Sequence, residues 1–171
     1  MARPPIQEAL ARLAEGGDLD AALAQAAMDA LMDGRATPAQ VGALLMGLRL
    51  KGETVDAVTA FARAMRAHSV RIAPRCDPLL DVCGTGGAPH KTFNISTAAA
   101  FVVAGAGVAV AKHGNRSSTA LSGSADVLEA LGVRLSVPPA RVQDAIETVG
   151  IGFLFAPGHH PAMKHAIGPR K

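Results

Sequence analysis

Apolar residues recur at three- and four-residue intervals through the first seventy positions, then bunch into short runs closed by glycine. Ile6, Leu10 and Leu13 make a first helical stripe, ended by Gly16-Gly17, and Leu19, Leu23, Ala27, Ala30 and Leu31 make a second, stopped by Gly34. Thr37-Pro38-Ala39-Gln40 has the form of a capping box with proline at the first helical position. It opens a third stripe of Val41, Leu44, Leu45 and Leu48 that ends at Lys51-Gly52. Thr54 caps a fourth, carrying Val55, Val58, Phe61, Ala62 and Met65. Four short amphipathic helices without chemistry-bearing clusters make residues 1–70 an all-helical domain built for packing, on the rest of the chain or on another subunit.

Pro74 and Pro78 punctuate a linker, and the period changes after it. Leu79, Leu80 and Val82 form a short apolar run closed by Gly84-Thr85-Gly86-Gly87, the pattern of a buried parallel strand. Val108 to Ala111 reads as a second strand and Ile151 to Phe155 as a third, also buried. Between them, Asn94-Ile95-Ser96-Thr97 opens a helix over Ala98 to Val103, and Ser122-Gly123-Ser124 leads into a helix from Ala125 to Leu131. Pro138-Pro139 opens another, stopped at Gly150, and Ala156 to Pro161 reads as a loop before a helix from Ala162. Strand and helix alternate, so residues 74–171 are expected to form a mostly parallel α/β domain.

Candidate chemistry lies at the joints. Three glycines in four residues let a ligand approach the backbone, and successive N–H groups in such a turn make an anion site. Lys91 and Thr92 follow it, and the helix opened by Asn94 to Thr97 aims its N-terminus at the same region. The second strand delivers Lys112, His113, Gly114, Asn115 and Arg116 to its C-terminal end, where open α/β sheets bind ligands. Ser117, Ser118, Thr119 and Ser124 add hydroxyls. Two such turns side by side imply a ligand with more than one phosphate. A P-loop is excluded because Thr85 stands where its first glycine belongs, and a dinucleotide fingerprint because its third glycine is Pro89.

Composition narrows the classes. With 49% hydrophobic residues, 171 positions can bury a substantial core. A net charge of +3, five Phe and no Trp or Tyr leave few stacking platforms for single-stranded nucleic acid. The apolar stretch around Ala98 to Ala111 is too short and too rich in Ala and Gly to span a membrane, and Met1 to Leu10 lacks a signal-peptide pattern, so a cytoplasmic location is expected. Cys76 and Cys83 match no zinc or redox spacing, and Cys83 is read as a small apolar side chain at a strand end. His159, His160 and His165 lack metal-ligand spacing and an accompanying carboxylate, and are read as loop residues at the mouth of the site.

GTGG at Gly84 to Gly87, NIST at Asn94 to Thr97, KHGNR at Lys112 to Arg116 and GSADVLEALG at Gly123 to Gly132 together resemble the anthranilate phosphoribosyltransferase family, as does FLFAPGHHPAMK at Phe153 to Lys164. The resemblance implies a helical dimerisation domain (1–70) and part of an α/β domain (74–171) of the nucleoside phosphorylase/phosphoribosyltransferase type. It implies transfer of the phosphoribosyl group of phosphoribosyl pyrophosphate (PRPP) to the amine of anthranilate, with release of pyrophosphate, in tryptophan biosynthesis. Mg2+ is the implied cofactor, with Ser96 as a metal ligand, and a homodimer the implied assembly. PRPP-binding residues on this basis are Gly84, Gly87, Ala88, Thr92, Asn94, Ile95, Ser96, Thr97, Lys112, His113, Gly114, Asn115, Arg116, Ser117, Ser118, Thr119, Ala120 and Ser124. Gly84, Asn115 and Arg170 are the implied anthranilate contacts, Arg170 through a guanidinium suited to a carboxylate. No side chain is expected as general base, because an aromatic amine is already nucleophilic; positioning and charge stabilisation carry the reaction.

Two departures stand out. Ala88 occupies the place of the family's usual Asp, and the family's chain is about twice as long, with its magnesium-holding Asp-Glu pair downstream of Lys171. The expectation is therefore an N-terminal fragment or truncated product, with a fragment inactive by itself as the alternative to an active one. A pyrimidine nucleoside phosphorylase of the same architecture would need a Lys-Met-Ser-Gly-Arg type of loop where this chain has Lys112 to Arg116. A non-catalytic binding protein would have no need of the Gly, Asn-x-Ser-Thr and Lys-His-Gly-Asn residues that are all present.

Overall fold

The computed structural model describes residues 3–84, 93–117 and 122–169. The chain divides into two compact units, one containing the residues up to Ser69 together with those from His160 onward, the other Val70–His159. No described helix is long and apolar enough to cross a membrane.

The first unit contains α1 (Pro5–Ala14), α2 (Ala21–Met32), α3 (Pro38–Lys51) and α4 (Val55–Ala67). The starts of the last three are fixed by side chains that accept the unpaired N–H groups of a first helical turn. Asp20 accepts from Leu23 N at 2.8 Å and Thr54 from Ala57 N at 3.1 Å. Thr37 and Gln40 form the expected reciprocal box at 3.3 and 2.9 Å. One core gathers Ile6, Leu13, Leu31, Val41, Leu44 and Leu48 with a run of alanines. The apolar pattern of α4 holds only in part: Phe61 and Met65 pack against the core, but Val55 and Val58 are 82% and 51% exposed, and Ala57, Ala60 and Ala64 are buried. The cause is close packing against α2, which presents Ala24 and Ala27; small side chains on both helices let the backbones approach where valines would hold them apart.

A 3-10 turn (Pro161–Met163) and a short helical turn (Lys164–Ile167) replace the helix expected from Ala162, and Ala166 joins this same core. The imidazole of His165 lies over Gly34, leaving no room there for a Cβ, whose distance to the ring would be 2.6 Å. His159, in the second unit, is 4% exposed and donates from Nδ1 to Val70 O, while Val70 N donates back to His159 O. These two histidines are packing and hydrogen-bonding residues, not the loop residues at a site mouth that the sequence suggested.

The second unit holds three parallel strands in the order β1 (Leu79–Leu80), β2 (Ala109–Gly114), β3 (Ile151–Phe155). α5 (Ile95–Gly105) crosses from β1 to β2; α6 (Ser124–Ala130) and α7 (Pro139–Val149) lie between β2 and β3, and α8 (Ala156–His159) makes a helical turn where a loop was expected. Helices cover both faces. Gly152 lies against α7, where a Cβ would sit 2.6 Å from Ile146, whereas Phe153 and Phe155 pack on Ala125, Leu128 and Leu135 of the α6 side; adjacent strand residues point to opposite faces.

β1 is shorter and more open than a buried strand, with Leu79 and Leu80 each 40% exposed. It pairs with β2 alone, and the ladder stops where the Asp81 carboxylate accepts the N–H groups of Cys83 (2.9 Å) and His113 (3.3 Å). Cys83 is exposed, its thiol 3.5 Å from Gly84 O, and not an apolar plug at the strand end.

Candidate functional site

The parallel sheet places the residues after β1 and β2 at one edge, the C-terminal edge where ligands of open α/β sheets bind. Three segments converge there, joined by side chains that bridge residues distant in sequence. Asp81 ties the end of β1 to β2 through His113 N. Asn94, which precedes α5, spends its amide on Ser122: Nδ2 donates to Ser122 O at 3.3 Å, and Oδ1 accepts from Ser122 Oγ at 3.1 Å. It therefore makes no side-chain cap on α5, the role its position suggested. Thr97, 2% exposed, donates from Oγ1 to Ser124 Oγ at 3.0 Å. The start of α5 and the entry to α6 are held side by side.

Asp126 ties the residues that follow β2 to the entry of α6. Its Oδ2 accepts from Gly123 N at 2.7 Å and from Ser117 N at 3.1 Å, and Oδ1 accepts from Arg116 at 3.0 Å. Asn115 O also accepts from Ala125 N at 3.2 Å. Gly123 is obligatory at this crossing, since a Cβ would stand 2.5 Å from Ser117 N and 2.6 Å from Asn115 O, both backbone atoms that cannot swing aside. The N–H donors of Gly123 and Ser117, and then Arg116, hold the Asp126 carboxyl below its ordinary range.

Arg116 is clasped rather than extended. Its guanidinium donates to Glu129 at 2.7 and 2.8 Å and to Asp126, and lies 6.0 Å from the centre of the Phe155 ring. These bonds, with Glu129 foremost, raise its already high pKa, and they lower that of Glu129.

Lys112 is 3% exposed and lines a cavity of about 130 Å³ with Thr97, Ala100, Phe101, Leu128 and Phe153. Gly84, Ile95, Ser96, His113, Gly114 and Asn115 are brought to the same unit, with Ser96 half-buried on the first turn of α5 and Asn115 exposed. Gly87, Ala88, Thr92, Ser118, Thr119, Ala120 and Arg170 lie outside the described residues. Among the described residues no group of three or more His, Cys, Asp or Glu is placed to hold a metal ion.

The sequence alone assigned no role to Asp81, Ser122, Asp126 or Glu129, although Ser122 stands at an expected helix entry and Asp126 and Glu129 lie within the Gly123 to Gly132 motif. Two signals were present: a carboxylate standing between an apolar run and a glycine turn (Asp81), and one three residues after a glycine that opens a helix (Asp126).

Residues 76–171 match the family model described as glycosyl transferase family, a/b domain, and residues 7–69 match its helical bundle domain. An anthranilate phosphoribosyltransferase from Symbiobacterium thermophilum is 59% identical over 95% of this chain and 48% of its own length. The crystal structure of anthranilate phosphoribosyltransferase from Thermus thermophilus aligns with a TM-score of 0.88 at 46% identity, over 98% of this chain and 50% of that one. The Saccharomyces cerevisiae enzyme, in complex with PRPP and Mg, aligns with a TM-score of 0.88 at 25% identity, over 99% of this chain and 51% of that one. The chain spans about half the length of the relatives it matches.

Proposed function

Because this chain belongs to the glycosyl transferase family defined by that helical bundle and a/b domain, we propose that it serves anthranilate phosphoribosyltransferase chemistry, the transfer of a phosphoribosyl group from PRPP to the amine of anthranilate. One observation carries the reading: Asn94 and Thr97 are hydrogen-bonded to Ser122 and Ser124, which joins the N-terminus of α5 and the entry of α6 into one surface at the C-terminal edge of the sheet. A diphosphate needs that continuity, since its two phosphates lie too close together for separate sites.

In this reading the diphosphate meets the backbone at Gly84 and the residues after it, the first turn of α5, and the loop from Lys112 to Ser124. The N-terminus of α5, eleven residues long, supplies a positive dipole end. Buried Lys112, which lines a cavity with Thr97 and Leu128 of α6, is assigned to the charge that develops on the departing diphosphate. Asn115 is assigned to anthranilate, with Gly84 between the two substrates. The chain's residues bind, orient and shield the reacting groups, and none is assigned as a base.

Magnesium is the proposed cofactor: Mg2+ keeps several waters and is usually held by one or two carboxylates alongside substrate phosphates, and Ser96, at the α5 start, is assigned to it as a single hydroxyl donor. Together with diphosphate oxygens it would hold the ion, which when bound offsets the charge of the departing pyrophosphate. The homodimer is proposed through the helical unit, where Met46, Leu50, Val55 and Val58 are exposed apolar residues on α3 and α4, and the cytoplasm is the proposed location.

Anthranilate fluorescence followed with PRPP and magnesium tests the activity. The chain has no Trp or Tyr, so its own emission is nearly dark. Signal loss that requires PRPP, magnesium and the chain is expected; a flat trace from a chain that also fails to bind PRPP by calorimetry overturns the assignment.

A further inference from the structure

Resting on that reading, we propose that Asp126 is a positioning residue that buckles the backbone after β2 (residues 115–117) to the entry of α6 at Gly123, and that Arg116 shapes this junction from its clasp with Asp126 and Glu129 instead of offering its guanidinium to phosphate. The geometry is that of a junction: one carboxylate receives the N–H groups of Ser117, after β2, and Gly123, before α6, and a third donor from Arg116. Arg116 is turned away to α6, spanning Glu129 with two nitrogens and lying against Phe155 of β3. A guanidinium engaged by two carboxylates has little net charge to present to an anion. The role left to it is mechanical: it joins the end of β2 to α6, and so sets where the backbone from Asn115 to Ser117 points. Gly123 fits this function, because the buckle requires a crossing too tight for any side chain.

The test compares Asp126→Ala, Asp126→Asn, Glu129→Gln, Arg116→Gln and Arg116→Lys by two readouts. The first is hydrogen exchange at the Ser117 and Gly123 amides; the second is PRPP affinity with magnesium by calorimetry. Asp126→Ala should speed both amides and weaken PRPP about tenfold, since charge-assisted bonds are lost at both amides. Glu129→Gln and Arg116→Gln should each weaken binding up to about fivefold, the range of an exposed but bidentate pair. Arg116→Lys should behave like Arg116→Gln, because an ammonium keeps the charge but cannot span two carboxylates, and the Arg116→Gln/Glu129→Gln double variant should be no weaker than Arg116→Gln. Glu129→Gln binding PRPP as tightly as the unaltered chain, while Arg116→Gln loses affinity and Arg116→Lys restores it, would make Arg116 a direct phosphate ligand and overturn the proposal. Unchanged amide exchange in Asp126→Ala, or in Asp126→Asn should the alanine variant not fold, overturns the buckle. If the unaltered chain binds no PRPP, the functional reading fails, and the exchange measurement alone decides the buckle.

Discussion

The helical unit and the α/β unit reach order by opposite routes. In the first, side-chain hydrogen bonds are mostly local: Asp20, Thr37 and Thr54 each accept from a backbone N–H three residues on. The tertiary structure there is carried by a core of leucines and alanines. In the second, the informative bonds span long separations: Asn94 to Ser122, Thr97 to Ser124, Asp81 to His113, and Arg75 to Glu147. Exposed apolar side chains do not separate the two, since Phe101 and Val102 in one unit and Leu50 and Val55 in the other are all open to solvent. A packed core tolerates polar change at its surface, whereas a polar-stitched sheet edge is sensitive to single hydrogen bonds. That contrast separates stability from binding, and each can be perturbed with little effect on the other.

The largest expected effect is on the core. Leu44→Ala, at a position 1% exposed, should destabilise the helical unit by about 3 kcal/mol through lost transfer energy and an unfilled cavity. Denaturant unfolding measures it, and PRPP affinity of the folded fraction should not change. A large loss of affinity in the folded protein would break the separation of roles.

Gly123→Ala is the converse. The added methyl meets Ser117 N and Asn115 O at 2.5 and 2.6 Å, so the loop must move off the Asp126 carboxylate. Overpacking of this kind costs roughly 1–3 kcal/mol, and most of it should appear as loss of PRPP binding, on the order of tenfold or more. Calorimetric titration beside a thermal melt distinguishes the two. A variant that melts early but binds normally would show that the crossing is only structural.

A third, smaller perturbation is Thr54→Ala. Removing the oxygen that accepts from Ala57 N should lower stability by about 1 kcal/mol with no change in substrate binding, read by the same unfolding titration.

The two units were also unequally legible. Helix boundaries followed directly from residues whose chemistry is local, such as Thr37 with Gln40 and Gly150, which takes the left-handed conformation at φ +85° after α7. The buried face of α4 did not, because hydrophobicity ranks Val55 and Val58 above Ala57, Ala60 and Ala64. Close approach to α2 selects the smaller residues, and that is a property of the pair of helices. At the site, Asn94, Thr97 and Ser124 were found through their motifs, although the partners that fix them were not. Asp81 and Asp126 stand at positions that hint at a cap, but the backbone N–H groups they accept from across the fold are carried by every residue but proline, so the sequence does not mark those partners. Arg116 was legible as a cation near phosphate-suited turns, yet its orientation depends on Glu129, thirteen positions away and one helix on.

The smallest predicted effect sharpens the contrast from the helical side, where a few side chains also bridge distant positions, Lys51 to Asp18 and His68 to Asp33. His68, at the end of α4, donates from Nδ1 to Ala64 O at 2.9 Å and from Nε2 to Asp33 Oδ1 at 3.1 Å. Both ring nitrogens face acceptors, so the arrangement is complete only when the imidazole is doubly protonated. The Ala64 carbonyl foremost, then Asp33 and the nearby Asp29, raise the His68 pKa above its ordinary value of 6.5. The partner Asp33 is shared with Arg35, which lowers the carboxyl's pKa more than His68 does. A raised folded-state pKa stabilises the fold fully below the unfolded value and loses that contribution as pH rises through the folded one. Stability of the helical unit should therefore decline slightly from near pH 6.5 upward, and His68→Asn should remove that slope. The side chains are largely solvated, so the slope should be shallow and should flatten in high salt. Thermal melts across pH 5.5 to 8.5 (roughly a unit or two either side of the ordinary histidine value) measure it. A slope that persists in His68→Asn would place the titrating group elsewhere; one that rises with pH would reverse the sign argued from the two acceptors.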